Sequence, residues 1–166
     1  MEPHAAAQAV IDLCREREWT LATAESCTGG LVGAALTALA GASDVYVGGV
    51  VAYSNEVKRS QLGVATETLR EHGAVSAETA VSMAAGARRA LDADVGVSVT
   101  GVAGPEGGTA EKPVGLVFIT VETPEDQSTE RLQLDGDRNA IREGATRRAL
   151  LLLERVLSQS ATKPGA

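Results

Sequence analysis

Apolar residues recur along this chain at two spacings, and the two alternate. From Pro3 to Glu18, Ala6, Ala9, Val10, Leu13 and Cys14 share one side of a helical projection with charge on the other, and Pro3 suits a first turn. Thr20-Leu21-Ala22-Thr23 is a short apolar run that reads as a strand. Leu31, Val32, Ala35, Leu36 and Leu39 then repeat at helical spacing, and Gly41-Ala42-Ser43 ends that helix. Asp44 to Ser54 is a second strand, in which Gly48-Gly49 marks a bulge or a close approach by another group. Two short helices follow, from Asn55 to a closing Gly63 and from Thr66 through His72 to Gly73.

The second half continues the alternation. Ser76 is a good N-cap for a helix from Ala77 to Leu91, with Ala77, Ala80, Val81, Ala84 and Leu91 facing inward. Asp94 to Thr100 reads as a strand with Val95, Val97 and Val99 on one face and Gly96 and Ser98 on the other. It runs into a glycine-rich loop, Thr100 to Thr109. Val114 to Val121 is apolar at nearly every position, as in a strand covered on both sides. Ser128 to Leu134 alternates, as in an antiparallel strand near an edge with one wet face. Gly136-Asp137 turns into a last helix through Leu157, and residues 158–166 are small and polar and are expected to fray.

Strand–helix–strand units first and a run of strands later predict one α/β domain over residues 1–166, with its core at about 5–157. The expected architecture is a single three-layer α/β/α domain around a mixed, mainly parallel central sheet. In such sheets ligands gather beyond the carboxyl ends of parallel strands. Three polar stretches follow strands here: Glu25-Ser26-Cys27-Thr28-Gly29-Gly30, Tyr53-Ser54-Asn55 with Lys58, and the Thr100 to Thr109 loop. If their strands are parallel neighbours, the three share one rim.

Composition narrows the chemistry. Hydrophobic residues make up 44% of the chain, enough for a folded core, but aromatic residues only 2%. That disfavours base-stacking platforms, and a formal charge of −7 disfavours nucleic acid as a partner. A small anionic substrate needs only a few local cations and stays open. Cys14 and Cys27 are the only cysteines; Cys14 sits at an apolar helix position and is expected to be buried, and the pair forms neither a disulfide framework nor a zinc site. No signal-like start and no bilayer-length apolar run are present, so a cytoplasmic protein with no membrane partner is expected. The sequence offers no metal-ligand spacing and no cofactor motif.

The first polar stretch joins a strand to a helix start, where unpaired backbone N–H groups and the positive end of a helix dipole gather. A nucleophile there, Ser26, would gain oxyanion stabilisation from the backbone. A capped helix start, with Ser26 or Thr28 as N-cap, accounts for the same residues. His4, at the start of the chain, and His72, at a helix end, make poor members of a Ser-His-Asp triad. A lysine is therefore the more plausible base, with Tyr53 relaying or steadying the proton. Arg138 and Arg142 stand in the first turns of the last helix, where the dipole disfavours them. Either they face solvent or they hold an anion together.

The residues also form an ordered series. Ala24-Glu25-Ser26-Cys27-Thr28-Gly29-Gly30, Gly41-Ala42-Ser43, Tyr53-Ser54-Asn55, Lys58, Gly73-Ala74-Val75-Ser76, Met83-Ala84 and Thr100-Gly101-Val102-Ala103-Gly104-Pro105 follow one another. Lys112-Pro113-Val114-Gly115 and Gly136-Asp137-Arg138 with Arg142 complete it. From about Ala5 to Leu157 the chain resembles the CinA C-terminal domain family, the nicotinamide-nucleotide amidases. It lacks the additional N-terminal domain of full-length CinA proteins and so looks like a stand-alone amidase.

The resemblance implies deamidation of nicotinamide mononucleotide to nicotinate mononucleotide and ammonia, with no cofactor and no metal. Ser26 would attack, neutral Lys58 would take its proton, and Tyr53 would order the exchange. Glu25, Cys27, Thr28, Gly29 and Gly30 would form the oxyanion or site loop. Asn55, Thr100, Gly101, Gly104, Gly107, Gly108, Arg138 and Arg142 would bind the nucleotide. A homo-oligomer, taken as a dimer, is expected. Two other readings stay open: a catalytically silent nucleotide-binding paralogue, or an interaction module linked to competence or DNA damage.

Overall fold

The computed structural model of the protein describes residues 3–159. The elements are α1 (Pro3–Glu16), β1 (Leu21–Glu25), α2 (Leu31–Thr37), β2 (Tyr46–Val51), α3 (Asn55–Leu62) and α4 (Thr66–His72). They continue with α5 (Ala77–Leu91), β3 (Val95–Gly101), β4 (Leu116–Glu122), β5 (Gln127–Gln133) and α6 (Arg138–Gln159). A 3-10 turn, Ala42–Asp44, leads into β2. Every element read from the apolar spacing is present, with ends shifted by a few residues. Of the stretch expected to fray, Ser158 and Gln159 continue α6, and residues 160–166 lie outside the described residues.

The sheet is ordered β2-β1-β3-β4-β5. β1 pairs in parallel with both β2 and β3, β4 is antiparallel to β3, and β5 is antiparallel to β4. Only β4 opposes the common direction, so the sheet is mixed with four of five strands running one way. The pairing of β1 with β2 slips between Leu21 and Ala22, leaving Val47 without a partner next to Gly48, which has φ +147°. Gly49 is required by close approach, because a Cβ there would lie 2.1 Å from Thr23 Oγ1.

The two faces of the sheet are packed differently. Leu21, Val95, Val97, Val99, Val117, Ile119 and Val121 point into a large core shared with α1, α2 and α6. The opposite face carries Ala22 and Ala24 with Leu62, Met83 and Ala87 from α3 and α5. Small side chains let α5 press onto β3: a Cβ at Gly96 would lie 2.4 Å from Ala84 O, and Ser98 Oγ donates to Ala80 O at 2.6 Å. The buried face of α5 is Thr79, Ala80, Met83, Ala84, Gly86 and Ala87, so Ala77, Val81 and Leu91, expected inside, lie only half-buried at its flanks. Cys14 is fully buried, and burial pushes its thiol up to about 12. Among the described residues no helix is long and apolar enough to cross a membrane.

Candidate active site

Because β2, β1 and β3 are parallel neighbours, the segments that leave their carboxyl ends converge on one rim. From β1 comes the turn 26–30. Ser26 N–H donates to Val99 O at 2.9 Å, which ties the turn to β3, and Gly29 and Gly30 take the positive φ values, +58° and +110°, that the tight turn demands. Gly30 occupies the N-cap of α2 with no side-chain cap, so neither Ser26 nor Thr28 caps that helix. Glu25 does so from behind. Its buried carboxylate accepts from Val32 N at 2.8 Å and Gly33 N at 3.1 Å. The helix N-terminus expected to stabilise an oxyanion thus spends these donors on an internal carboxylate, and Glu25 is a cap that does not line the cleft.

From β2 comes α3, capped by Ser54, whose Oγ accepts from Val57 N at 3.1 Å. One turn in, Lys58 points back beneath the strand end and is only 1% exposed. Its Nζ lies 3.0 Å from Ser26 Oγ, 2.9 Å from Ala52 O and 3.1 Å from Tyr53 O. A neutral amine has two N–H donors and one lone pair. As an ammonium Lys58 donates to all three; as a neutral amine it gives its two donors to the carbonyls, which can only accept, and its lone pair is left for the Ser26 hydroxyl. Burial lowers the Lys58 pKa from its ordinary 10.5, against a smaller opposing pull from Cys27. Burial thus makes the Lys58 ammonium proton easier to remove than that of a free lysine.

Cys27 lies beside this pair and is also buried. Burial raises its thiol to about 11, outweighing its own backbone N–H, Lys58 and Arg142, which pull the other way. At neutral pH it is a thiol, a much poorer nucleophile than a thiolate.

From β3 comes the glycine-rich loop. Thr100 Oγ1 donates to Ala74 O at 2.8 Å, so this hydroxyl's proton is engaged in holding the wall of the site. Arg138 of α6 donates through Nη1 to Gly104 O at 2.7 Å and through Nη2 to the Tyr53 hydroxyl at 3.2 Å. Together these segments enclose a cleft of about 320 Å³. A larger depression of about 580 Å³, lined in part by His72, Lys112, Phe118 and Arg131, lies beyond Val75 and contains no nucleophile–base pair.

The cleft brings together Ser26, Cys27, Tyr53, Lys58, Thr100, Gly101, Gly104, Gly107 and Arg138. The Tyr53 phenol is not within hydrogen-bond reach of Ser26 or Lys58; it stands 63% exposed against Arg138, and the residue touches Lys58 through its carbonyl. Other sequence candidates lie outside the cleft lining. Thr28 is buried with its hydroxyl unpartnered, and Gly29 packs against Arg142. Asn55 opens α3 on an exposed groove, and Gly108 sits against Val114. Arg142 donates through Nε to Cys27 O at 3.0 Å and through Nη2 to Thr28 O at 3.3 Å. It grips backbone, and its neighbour one turn earlier faces the cleft.

Ala74, Val75, Val102, Ala103 and Glu106 also line the cleft and were not read from the sequence. Ala74 and Val75 precede a helix and follow no strand, so the carboxyl-end rule passes over them. Glu106 stood inside a recognised loop and carried no signal of its own. Among the described residues no group of three or more His, Cys, Asp or Glu converges as a metal site would.

A three-layer α/β/α domain with a buried serine–lysine pair at the carboxyl rim of its parallel strands is the class that fold and site define. The family model of the CinA C-terminal domain matches residues 3–157, and the chain belongs to that family. It is 49% identical over 148 residues to a CinA-like protein of Kosmotoga olearia and 52% identical over 149 residues to a putative competence-damage inducible protein of Halothermothrix orenii. Each match covers 89% of this chain and 36% of the relative, so the chain spans about a third of the length of these curated relatives. Among solved structures it is similar to the competence/damage inducible protein CihA of Agrobacterium tumefaciens, with TM-score 0.91 and 43% identity over 95% of this chain and 96% of that one. It is also similar to the competence damage-inducible protein A of Klebsiella pneumoniae, with TM-score 0.93 and 37% identity over 97% of this chain and all of that one.

Proposed function

We propose that the protein is an amidase that hydrolyses the carboxamide of nicotinamide mononucleotide to nicotinate mononucleotide and ammonia. The observation that carries this reading is the 3.0 Å approach of Lys58 Nζ to Ser26 Oγ, with the other partners of the amine both carbonyls. Neutral Lys58 takes the hydroxyl proton as Ser26 Oγ attacks the amide carbon. The tetrahedral intermediate collapses, the lysine proton goes to the departing nitrogen, and ammonia leaves. Water, losing a proton to Lys58, then attacks the acyl ester, and the carboxylate product departs with Ser26 restored.

The nucleotide part follows from the family resemblance and from the position of Arg138 on the cleft. Arg138 keeps donor capacity beyond its bonds to Gly104 and Tyr53, and it is suited to a phosphate at the open side. The reading assigns the activity to the cytoplasm.

The test is ammonia release from nicotinamide mononucleotide by the purified chain, followed with formation of nicotinate mononucleotide. Stoichiometric appearance of both supports the amidase. A protein that binds the nucleotide without turnover would instead be a silent paralogue, and one that neither binds nor cleaves it would leave the interaction-module reading standing.

A further inference from the structure

The turn that carries Ser26 has two backbone N–H groups with no partner in another described residue, and that of Cys27 leans only on its own sulfur. Gly29 N–H donates to Ser26 O at 3.1 Å and Leu31 N–H to Thr28 O at 3.1 Å. The N–H groups of Cys27 and Thr28 donate to no other residue among those described. Behind them stands Arg142, bonded to the carbonyls of Cys27 and Thr28. A trans peptide unit is planar, with its C=O and N–H pointing in opposite directions. The Cys27 carbonyl that accepts from Arg142 belongs to the same peptide unit as the Thr28 N–H, so this N–H points away from the guanidinium. A cation on the carbonyl polarises the amide and strengthens its N–H as a donor on the far side.

We propose that Arg142 is a positioning residue that fixes and polarises the Cys27–Thr28 peptide, so that the oxyanion formed when Ser26 attacks meets the N–H of the cleft-lining Cys27 and, directly behind it, the buried Thr28 N–H whose dipole Arg142 strengthens. The inference rests on the amidase reading, and it changes the role of Arg142 from phosphate ligand to support of the turn. It also explains how the turn holds developing negative charge although Glu25, a carboxylate, occupies the start of α2. The positive field comes from α6, across the core, and reaches the reacting oxygen through one peptide group.

The experiment compares wild type, Arg142→Met and Arg142→Lys in two reactions. One is steady-state hydrolysis of nicotinamide mononucleotide. The other is covalent labelling of Ser26 by a fluorophosphonate, which builds charge on a phosphonyl oxygen at the same place without needing the nucleotide. Loss of one direct oxyanion donor costs about a hundredfold to a thousandfold in turnover, so weakening one is expected to cost on the order of tenfold to a hundredfold. In Arg142→Met, kcat should fall by that factor with KM within about twofold, and labelling should slow in parallel. Arg142→Lys keeps the charge but not the two-pronged grip, and should fall between; it decides the question if the methionine variant does not fold by circular dichroism.

A rise in KM with kcat intact would make Arg142 a ligand of the phosphate and overturn the proposal. Unchanged labelling in either folded variant would overturn it as well. If wild type labels at Ser26 yet leaves nicotinamide mononucleotide untouched, the substrate assignment fails alone, and the labelling rates of the variants still decide the role of Arg142.

Discussion

The two halves of the sheet put polar groups to different uses. In the parallel half, β2-β1-β3, each strand is followed by a helix or loop that leaves from the same rim, and the buried polar side chains Glu25, Ser26, Thr28, Lys58 and Thr100 collect there. In the antiparallel half, β4 and β5, strands return on themselves. Polar groups there close the sheet edge: Thr120 and Thr129 share a hydroxyl bond at 2.8 Å, and Glu130 pairs with Arg148 at 3.2 Å and Arg155 at 2.9 Å. A residue at a crossover meets segments far away in sequence, whereas a residue on a meander meets its neighbours. Chemistry that needs groups from several segments therefore settles on the parallel side.

The largest expected effect lies at the centre of that side. Ser26→Ala and Lys58→Met should each lower kcat by at least about a thousandfold while circular dichroism stays native, and the double variant should be hardly worse than either. Substantial turnover in Ser26→Ala would point to direct attack by water or by Cys27.

Next comes pH. Rate should rise through a single ionisation below the ordinary lysine value of 10.5, because burial lowers the Lys58 pKa and the proposed mechanism runs through the neutral amine. Stability should follow with the same sign. Between the lowered folded value and 10.5 the unfolded chain binds more protons than the native one, so stability climbs with pH in that window. From about 9 upward Cys14 and Cys27 oppose it: their native thiols, raised by burial to about 12 and about 11, hold protons that unfolded thiols release, so this contribution is lost as pH rises. Urea melts across pH should show the lysine-driven climb in wild type and lose it in Lys58→Met.

A smaller change is expected at the mouth of the cleft. Arg138→Ala should raise KM about tenfold and lower kcat by less, as loss of a charge-assisted contact made before reaction should. The smallest lies in the antiparallel half. Glu130→Ala removes two partly exposed ion pairs, and should cost at most about 1 kcal/mol by chemical melts with turnover unchanged. A large loss of activity in that variant would break the division between the two halves.

Much of the fold was legible because spacing reports burial: Val95, Val97 and Val99 face one core, and Gly96 and Ser98 face α5, as their alternation required. The shared rim was legible too, since strand–helix–strand crossovers impose parallel neighbours. What escaped was the work of particular charged groups. Glu25 caps donors seven and eight positions ahead, across a turn, whereas capping rules look to the residue beside the helix. Arg142 reads as a misplaced cation against a helix dipole, because its target carbonyl lies 115 positions away in sequence. Tyr53 was placed on the correct rim, but sequence cannot say whether a residue turns its side chain or its carbonyl toward a neighbour.

The grip of α6 on the rim bears on how the molecule acquires activity. Arg138 holds Gly104 and Arg142 holds Cys27 and Thr28, with separations of 34, 115 and 114 residues. Helices form from local contacts, whereas such long-range closures must lose loop entropy before the contacts repay it. The turn that carries Ser26 is tied to β3 by its N–H on Val99 O, and it is clamped only when α6, the last described helix, docks as well. During refolding, native-like helix content should therefore return before turnover does.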